Sequence, residues 1–230
     1  MTSIQTDIFS CVLSGDLESM QEHFEREGVK EESREKDLFG MKDEVGRNAM
    51  LTACVLGRSA IVRELVAHGA RVDEQTVRGY SSLHLAACWG HLETVRTLLE
   101  LGADTQPRTF RGERPVDLAR RYSKTDCADC LVLAEAKQDL MSYVAFAKDL
   151  ISDPESNLTK EEKLECFSSL CVCAQNICMR ACSAKSDWIQ SVKNPTVSDF
   201  TAQRKDIEDT LQPILSKLSA QLAVRPAGKV

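Results

Sequence analysis

The chain has 230 residues, 43% of them hydrophobic and 28% charged, with a formal net charge of −6. This balance fits one or two packed domains and excludes a disordered composition. The opening stretch MTSIQTDIFSCVLSGD lacks a basic region followed by an apolar run. No stretch approaches the roughly 20 apolar residues of a membrane span, so no membrane insertion is expected. The ten cysteines accordingly read as reduced thiols of a cytoplasmic protein. Asn157-Leu158-Thr159 then reads as a chance glycosylation match or a helix start. Residues 1–39, 40–125 and 126–230 carry net charges of −6, +3 and −3. Nucleic-acid binding needs a denser basic face than the middle third provides, so no nucleic-acid partner is expected.

In chain order, DIFSCVLSGDLESMQEHFE predicts two short helices around Ser14-Gly15-Asp16, with Ile8, Val12, Leu13, Leu17, Met20 and Phe24 at helical spacing. The acidic stretch REGVKEESREKD follows and reads as a solvated loop. Beyond it the glycines fall into register: Gly46 with Gly79 and Gly112, Gly57 with Gly90, and Gly69 with Gly102, each step 33 residues long. That spacing is a structural repeat. In the last copy Ser123 stands where the glycine equivalent to Gly90 would be.

The central copy, RGYSSLHLAACWGHLETVRTLLELGAD, contains His84 and Cys88 four residues apart, a spacing that puts two zinc-ligand types on one helix face. Further ligands would have to come from distant segments, and only His23, His68 and His91 remain as histidines, so no metal is assigned. Leu83, Ala86 and Ala87 present a small apolar face for close packing of a short first helix, and Leu92, Val95, Leu98 and Leu99 supply the stripe of a second. This copy, from the turn glycine through Ser-Ser-Leu-His-Leu-Ala-Ala to Gly-Ala-Asp, resembles the ankyrin repeat almost position by position. The resemblance implies that His84 is a turn-bracing hydrogen-bond partner, that His91 is the ordinary residue before the second helix, and that the N-terminal helices form a capping unit.

Ankyrin proteins as a family bind other proteins through the turn tips and the exposed side of the first helices. Carried over by position, that surface comprises Arg47, Val55 and Leu56 in the first repeat, and Arg78, Tyr80, Cys88 and Trp89 in the second. The third contributes Phe110, Arg111, Glu113, Arg121 and Tyr122. Aromatic and arginine side chains of this kind are enriched at binding hot spots. The implied partner is a protein presenting an acidic, partly apolar peptide or helix. The alternative is that Trp89 and Tyr122 pack against neighbouring repeats.

No glycine occurs between Gly112 and Gly228, and from about residue 126 the pattern becomes helical. DCADCLVLAEAKQDLMSYVAFAKDLI predicts one long helix with Leu131, Leu133, Leu140, Val144, Ala147 and Ile151 apolar. LTKEEKLECF restarts a helix with Thr159 and Glu162 at capping-box spacing. NPTVSDF breaks it, and a last helix carries Phe200, Ile207, Leu211, Ile214, Leu215 and Leu218 on one face. Three antiparallel helices would make a small bundle. The cysteines at 166, 171, 173, 178 and 182 read first as core packing, because a free cysteine behaves as a small hydrophobe. Cys127-Ala128-Asp129-Cys130 has redox-like spacing without the strand and turn that such a site needs.

The stretches AKQDLMSYVAFAKDLI, LTKEEK, Trp188 and DFTAQRKDIEDTLQPILSKL, with Pro213 inside a helical pattern, resemble the C-terminal helical lid of seventy-kilodalton heat-shock proteins. There is no room for that family's nucleotide-binding or β-rich domains, so the resemblance implies client binding at most. Relative to the lid pattern, about twelve extra residues near LECFSSLCVCAQ would add roughly three helical turns. VGRN, RGYSSLH, AACWGHLET, ARRYSKT and QRKDIED further resemble a vertebrate family of ankyrin-repeat proteins that combines both regions. That likeness implies a cytoplasmic interaction protein at cytoskeletal or ciliary structures.

The expected architecture is all-α: residues 1–39 as a capping unit with its acidic loop, 40–125 as a short ankyrin-repeat solenoid, and 126–230 as a small C-terminal helical bundle. The expected function is that of a non-catalytic adaptor without a cofactor, with a client-binding module as the alternative and self-association through the bundle as a further option. No nucleotide-binding loop, Gly-x-Ser-x-Gly elbow or His-Glu-x-x-His occurs.

Overall fold

A computed structural model of the chain describes residues 3–26, 39–40, 42–43, 45–152 and 172–223. Among these residues there are ten helices and no strands: α1 (Ser3–Ser14), α2 (Leu17–Arg26), α3 (Ala49–Val55), α4 (Ser59–Ala67), α5 (Ser82–Trp89), α6 (Leu92–Glu100), α7 (Pro115–Arg121), α8 (Thr125–Ser152), α9 (Val172–Ser191) and α10 (Val197–Ala223). The expected acidic loop at 28–37, the helix restart at 158–167 and most of the additional stretch near 164–175 lie outside the described residues.

The chain divides into two compact units, residues 1–135 and 136–230. In the first, every helix pair repeats the one before it. The buried positions of α4 recur 33 residues later in α6 and again at the start of α8: Val62, Val95 and Ala128 are equivalent, and so are Leu65, Leu98 and Leu131, all in one apolar core. The opening of α8 is therefore the second helix of the third repeat. Leu131, which periodicity groups with the long helix, packs with the repeats.

The short first helices are fixed by their caps. Asn48 accepts the N–H of Leu51 at 3.0 Å to start α3. Ser81 and His84 form a reciprocal box at the start of α5. Such caps satisfy backbone donors that a helix end leaves unpaired, typically contributing about 1 kcal/mol each. Each of these helices ends just before a left-handed residue: Gly57 (φ 70°), Gly90 (φ 79°) and Ser123 (φ 55°). At Gly57 a Cβ would lie 2.5 Å from Nδ1 of His91, so this glycine also makes room for the next repeat. Ser123 adopts the same conformation with a side chain, at a steric cost glycine avoids.

The N-terminal pair closes one end of the stack. Ile8, Val12, Met20 and Phe24 are buried as the helical spacing predicts. Phe24 stacks on His68 with 3.9 Å between ring centroids and lies 6.4 Å from Phe39. Leu13 departs from the predicted set and is 54% exposed. A terminal unit has a neighbouring repeat on one side only, so part of its apolar stripe stays open.

In the second unit α9 and α10 form an antiparallel hairpin, turning at Val192–Thr196 where the NPTVSDF break was expected. Trp188 packs edge-on to Phe200 at 5.5 Å, and Lys185 donates to Gln203 at 2.6 Å. Polar contacts link residues 136–152 of α8 to the hairpin: Lys148 donates to Ser186 at 2.9 Å, Arg204 pairs with Asp139, and the Arg204 guanidinium lies 5.5 Å from the Tyr143 ring centroid. Leu140, Val144, Ala147, Cys182, Phe200, Ile207 and Leu211 are buried. The side chains of Ile151, Ile214, Leu215 and Leu218 lie outside the described residues, as do those of Cys166, Cys171, Cys173 and Cys178. α10 runs unbroken through Pro213.

Candidate functional site

Each repeat begins with the same turn. The N–H of Asp43 reaches the carbonyl of Arg47, that of Thr76 reaches Tyr80, and that of Thr109 reaches Glu113, at 2.8, 3.0 and 3.0 Å. Within each turn a glycine N–H closes back on the first residue, at 2.9 Å for Gly46 and Gly79 and 2.8 Å for Gly112. The geometry is constant while the residues at its tip vary, which is how a repeat fold presents different chemistry on one scaffold.

His84 is fully buried and binds across a repeat boundary. Its Nδ1 accepts the Ser81 backbone N–H at 3.1 Å and lies 2.8 Å from the Ser81 hydroxyl, while Nε2 donates to the Glu113 carbonyl at 2.9 Å. This pattern requires the neutral ring, and burial correspondingly pulls its pKa below the ordinary 6.5, against the opposing pull of the Glu113 carbonyl hydrogen bond and the Glu113 and Asp117 carboxylates. His91 reaches the other way, donating Nε2 to the carbonyl of Val55 at 2.8 Å. Both histidines are bracing groups. Among the described residues no three His, Cys, Asp or Glu side chains gather where they could hold a metal.

The residues assigned to a binding surface separate into three groups. Arg78, Tyr80, Phe110 and Arg111 come together at the tips of the second and third repeats. The Phe110 N–H donates to the Arg78 carbonyl at 3.1 Å, and its ring lies 6.4 Å from Tyr80, 6.0 Å from the Arg78 guanidinium and 5.3 Å from that of Arg111. Leu56, Trp89 and Tyr122 form a second group. They occupy one position of three successive repeats and are 40%, 58% and 52% exposed. Each immediately precedes the left-handed residue that ends its helix, so the backbone delivers all three side chains in the same way. Trp89 and Tyr122 thus keep more than half of their surface open to solvent.

The third group is engaged internally. Arg47 pairs with Asp43 at 2.7 Å. Glu113 is 8% exposed and pairs with Arg121, while its second carboxylate oxygen is buried without a hydrogen-bond partner. Its carbonyl meanwhile accepts from Thr109 and His84. Glu113 thus serves the tip from within. Val55 and Cys88 are half-buried, and burial pushes the Cys88 thiol pKa up, opposed by Lys124. Cys127 and Cys130 have thiols shifted upward by burial, the reverse of an activated pair. Sequence reasoning missed Val77, which is 89% exposed, and Arg108 at the same tips. Val77 precedes Phe110 by one repeat period, and that signal was available.

The repeated turn, helix pair and left-handed stop define an ankyrin-repeat protein. The family model for Ankyrin repeats (3 copies) matches residues 8–109. The chain belongs to the family of ankyrin repeat domain-containing protein 45. It is 47% identical over 218 residues to the protein of that name from Danio rerio, covering 93% of this chain and 92% of that one. To its Homo sapiens counterpart it is 34% identical over 232 residues, covering 100% and 83%. A shorter likeness, 32% over 98 residues, links 42% of the chain to 10% of Synphilin-1 of Mus musculus. Ankyrin repeats of this kind support protein–protein interaction. Among the described residues no helix is long and apolar enough to cross a membrane.

Proposed function

We propose that the chain is a non-catalytic adaptor whose ankyrin face holds a protein partner through Leu56, Trp89 and Tyr122. The observation that carries this reading is the exposure of three large apolar side chains at one repeat-equivalent position. An exposed Trp and Tyr in register are anchors of the type that dominate binding energy, each able to contribute about 2 kcal/mol or more. The mild positive charge of residues 40–125 favours a partner segment that is acidic as well as partly apolar. On family resemblance, its place is the cytoplasm, at cytoskeletal or ciliary structures, which imaging of the tagged chain tests.

The decisive comparison is affinity capture with the full chain and with a Trp89→Ala/Tyr122→Ala chain whose helicity is unchanged. A discrete set of partners lost with the double substitution supports the adaptor site. An identical set with both baits removes it. A second reading, client binding by residues 136–230, draws on Met141 and Phe146, which α8 leaves 49% and 58% exposed. It requires that the chain suppress aggregation of an unfolded protein and that deleting residues 154–230 abolish this.

A further inference from the structure

The tips of the second and third repeats concentrate guanidinium groups that, among the described residues, no carboxylate pairs. Arg78, Arg108 and Arg111 are all exposed, and among the described residues none has a carboxylate within ion-pair range. Other arginines of these turns are engaged: Arg47 faces Asp43, Arg114 faces Asp117 and Glu135, and Arg121 faces Glu113. This occurs in a chain whose 35 acidic residues outnumber its 29 basic ones, so carboxylates were not in short supply.

The three groups are nevertheless held in place. The Arg111 and Arg78 guanidiniums lie 5.3 and 6.0 Å from the Phe110 ring centroid, and Arg108 Nη1 donates to the Gly112 carbonyl at 2.8 Å. Phe110 is itself fixed by its backbone bond to Arg78. A ring attracts a guanidinium through the charge of its π face and offers no acceptor atom. The planar fork keeps its N–H edge donors available for a carboxylate, and its geometry matches a carboxylate bidentately. Ordering these side chains before binding reduces the entropy that association would otherwise cost. Phe110 and Val77, 60% and 89% exposed, put apolar surface beside the charges.

We propose that this tip, formed by Arg78, Arg108 and Arg111 around Phe110, is a carboxylate-reading site for aspartate and glutamate side chains of a partner peptide that also carries apolar residues. The inference deepens the adaptor reading and rests on it. An acidic peptide is favoured over a lipid surface or nucleic acid because residues 40–125 as a whole carry only +3, too little for a broad anionic surface, while the tip gathers three unpaired guanidiniums among the described residues.

The test is fluorescence anisotropy of the full chain with a labelled short peptide alternating glutamate pairs with leucine, against the same peptide with glutamine for glutamate. Binding of the glutamate peptide only is expected, weakening as salt rises from about 0.05 to about 0.5 M because screening shortens the reach of exposed charges. Arg78→Glu/Arg111→Glu should weaken it at least about tenfold. Arg111→Lys, which keeps the charge and loses the fork, should weaken it several-fold, and Phe110→Ala should do so too. Circular dichroism melting checks that each variant is folded. Failure of the glutamate peptide to bind, equal binding of the glutamine peptide, indifference to the charge reversal, or preference for phosphatidylserine vesicles would each overturn the proposal. If charge reversal has no effect while Trp89→Ala/Tyr122→Ala still loses captured partners, the tip assignment fails and the adaptor reading stands. If the reverse holds, the Leu56, Trp89 and Tyr122 site fails and the tip stands.

Discussion

In the second repeat Ser81 caps the first helix and His84 braces it, whereas in the third Arg114 occupies the cap position and Asp117 replaces the histidine. The bond from the cap residue's own N–H to the side chain three residues on is made in both, but only Ser81 returns a side-chain bond to the helix. In the second repeat the histidine ring accepts the Ser81 N–H and passes a hydrogen bond on to the next tip; in the third Asp117 accepts the Arg114 N–H at 2.9 Å and the chain of contacts turns to Glu135 through Arg114. The comparison teaches that a repeat conserves the positions where backbone groups need partners, while the partner can change from a buried neutral ring to a half-exposed ion pair. The energetic weight should follow burial, with the second repeat depending on its brace more than the third.

The largest effect should come from the core common to both repeats. Leu98→Ala removes a fully buried side chain, and a loss of about 3 to 4 kcal/mol is expected in urea unfolding. His84→Ala should cost about 2 to 3 kcal/mol, because it leaves the Ser81 N–H and Glu113 carbonyl buried with fewer partners. The same residue predicts a pH dependence with a definite sign. Its folded pKa lies below 6.5; below that pH the unfolded chain takes up a proton that the folded chain refuses. Stability should therefore be full above this range and fall as pH drops through it. Melting of a His84→Ala chain should lose that component, and an unchanged pH profile would show that the ring is not held neutral.

Asp117→Ala, the matching change in the third repeat, should cost about 1 kcal/mol as an ordinary cap loss. If it equals or exceeds His84→Ala, the weighting by burial is wrong. The smallest effect has the opposite sign: Ser123→Gly should raise stability by about 0.5 to 1 kcal/mol by relieving a left-handed side-chain conformation, partly offset by the greater freedom of glycine when unfolded. A loss at this position would mean that the serine hydroxyl supplies something the turn needs.

The 33-residue spacing made the repeats legible, because glycines at left-handed positions cannot be moved without strain, and the role of His84 followed from the likeness of its stretch to the ankyrin repeat. Four features were not legible for identifiable reasons. Glu113 occupies a tip position and looks available, but Arg121, eight residues on, draws its carboxylate inward. Leu13 lies in the right helical phase, yet an end unit lacks the neighbour that would cover it. The end of the glycine pattern suggests a new region at 126, while the absence of any breaker lets one helix finish the third repeat and continue to Ser152. Exposure of Trp89 and Tyr122 also needed coordinates, since the same residue types serve equally well as packing.

The two histidines of the central repeat have a consequence for assembling longer arrays. His84 reaches forward and His91 backward, and in each case the acceptor is a main-chain carbonyl, of Glu113 and of Val55. A main-chain oxygen is present whatever residue occupies the position. Copies of residues 79–111 joined head to tail would therefore meet their own acceptors at each junction, Tyr80 standing in for Glu113 and Cys88 for Val55, and the central repeat carries the fastenings for its own concatenation.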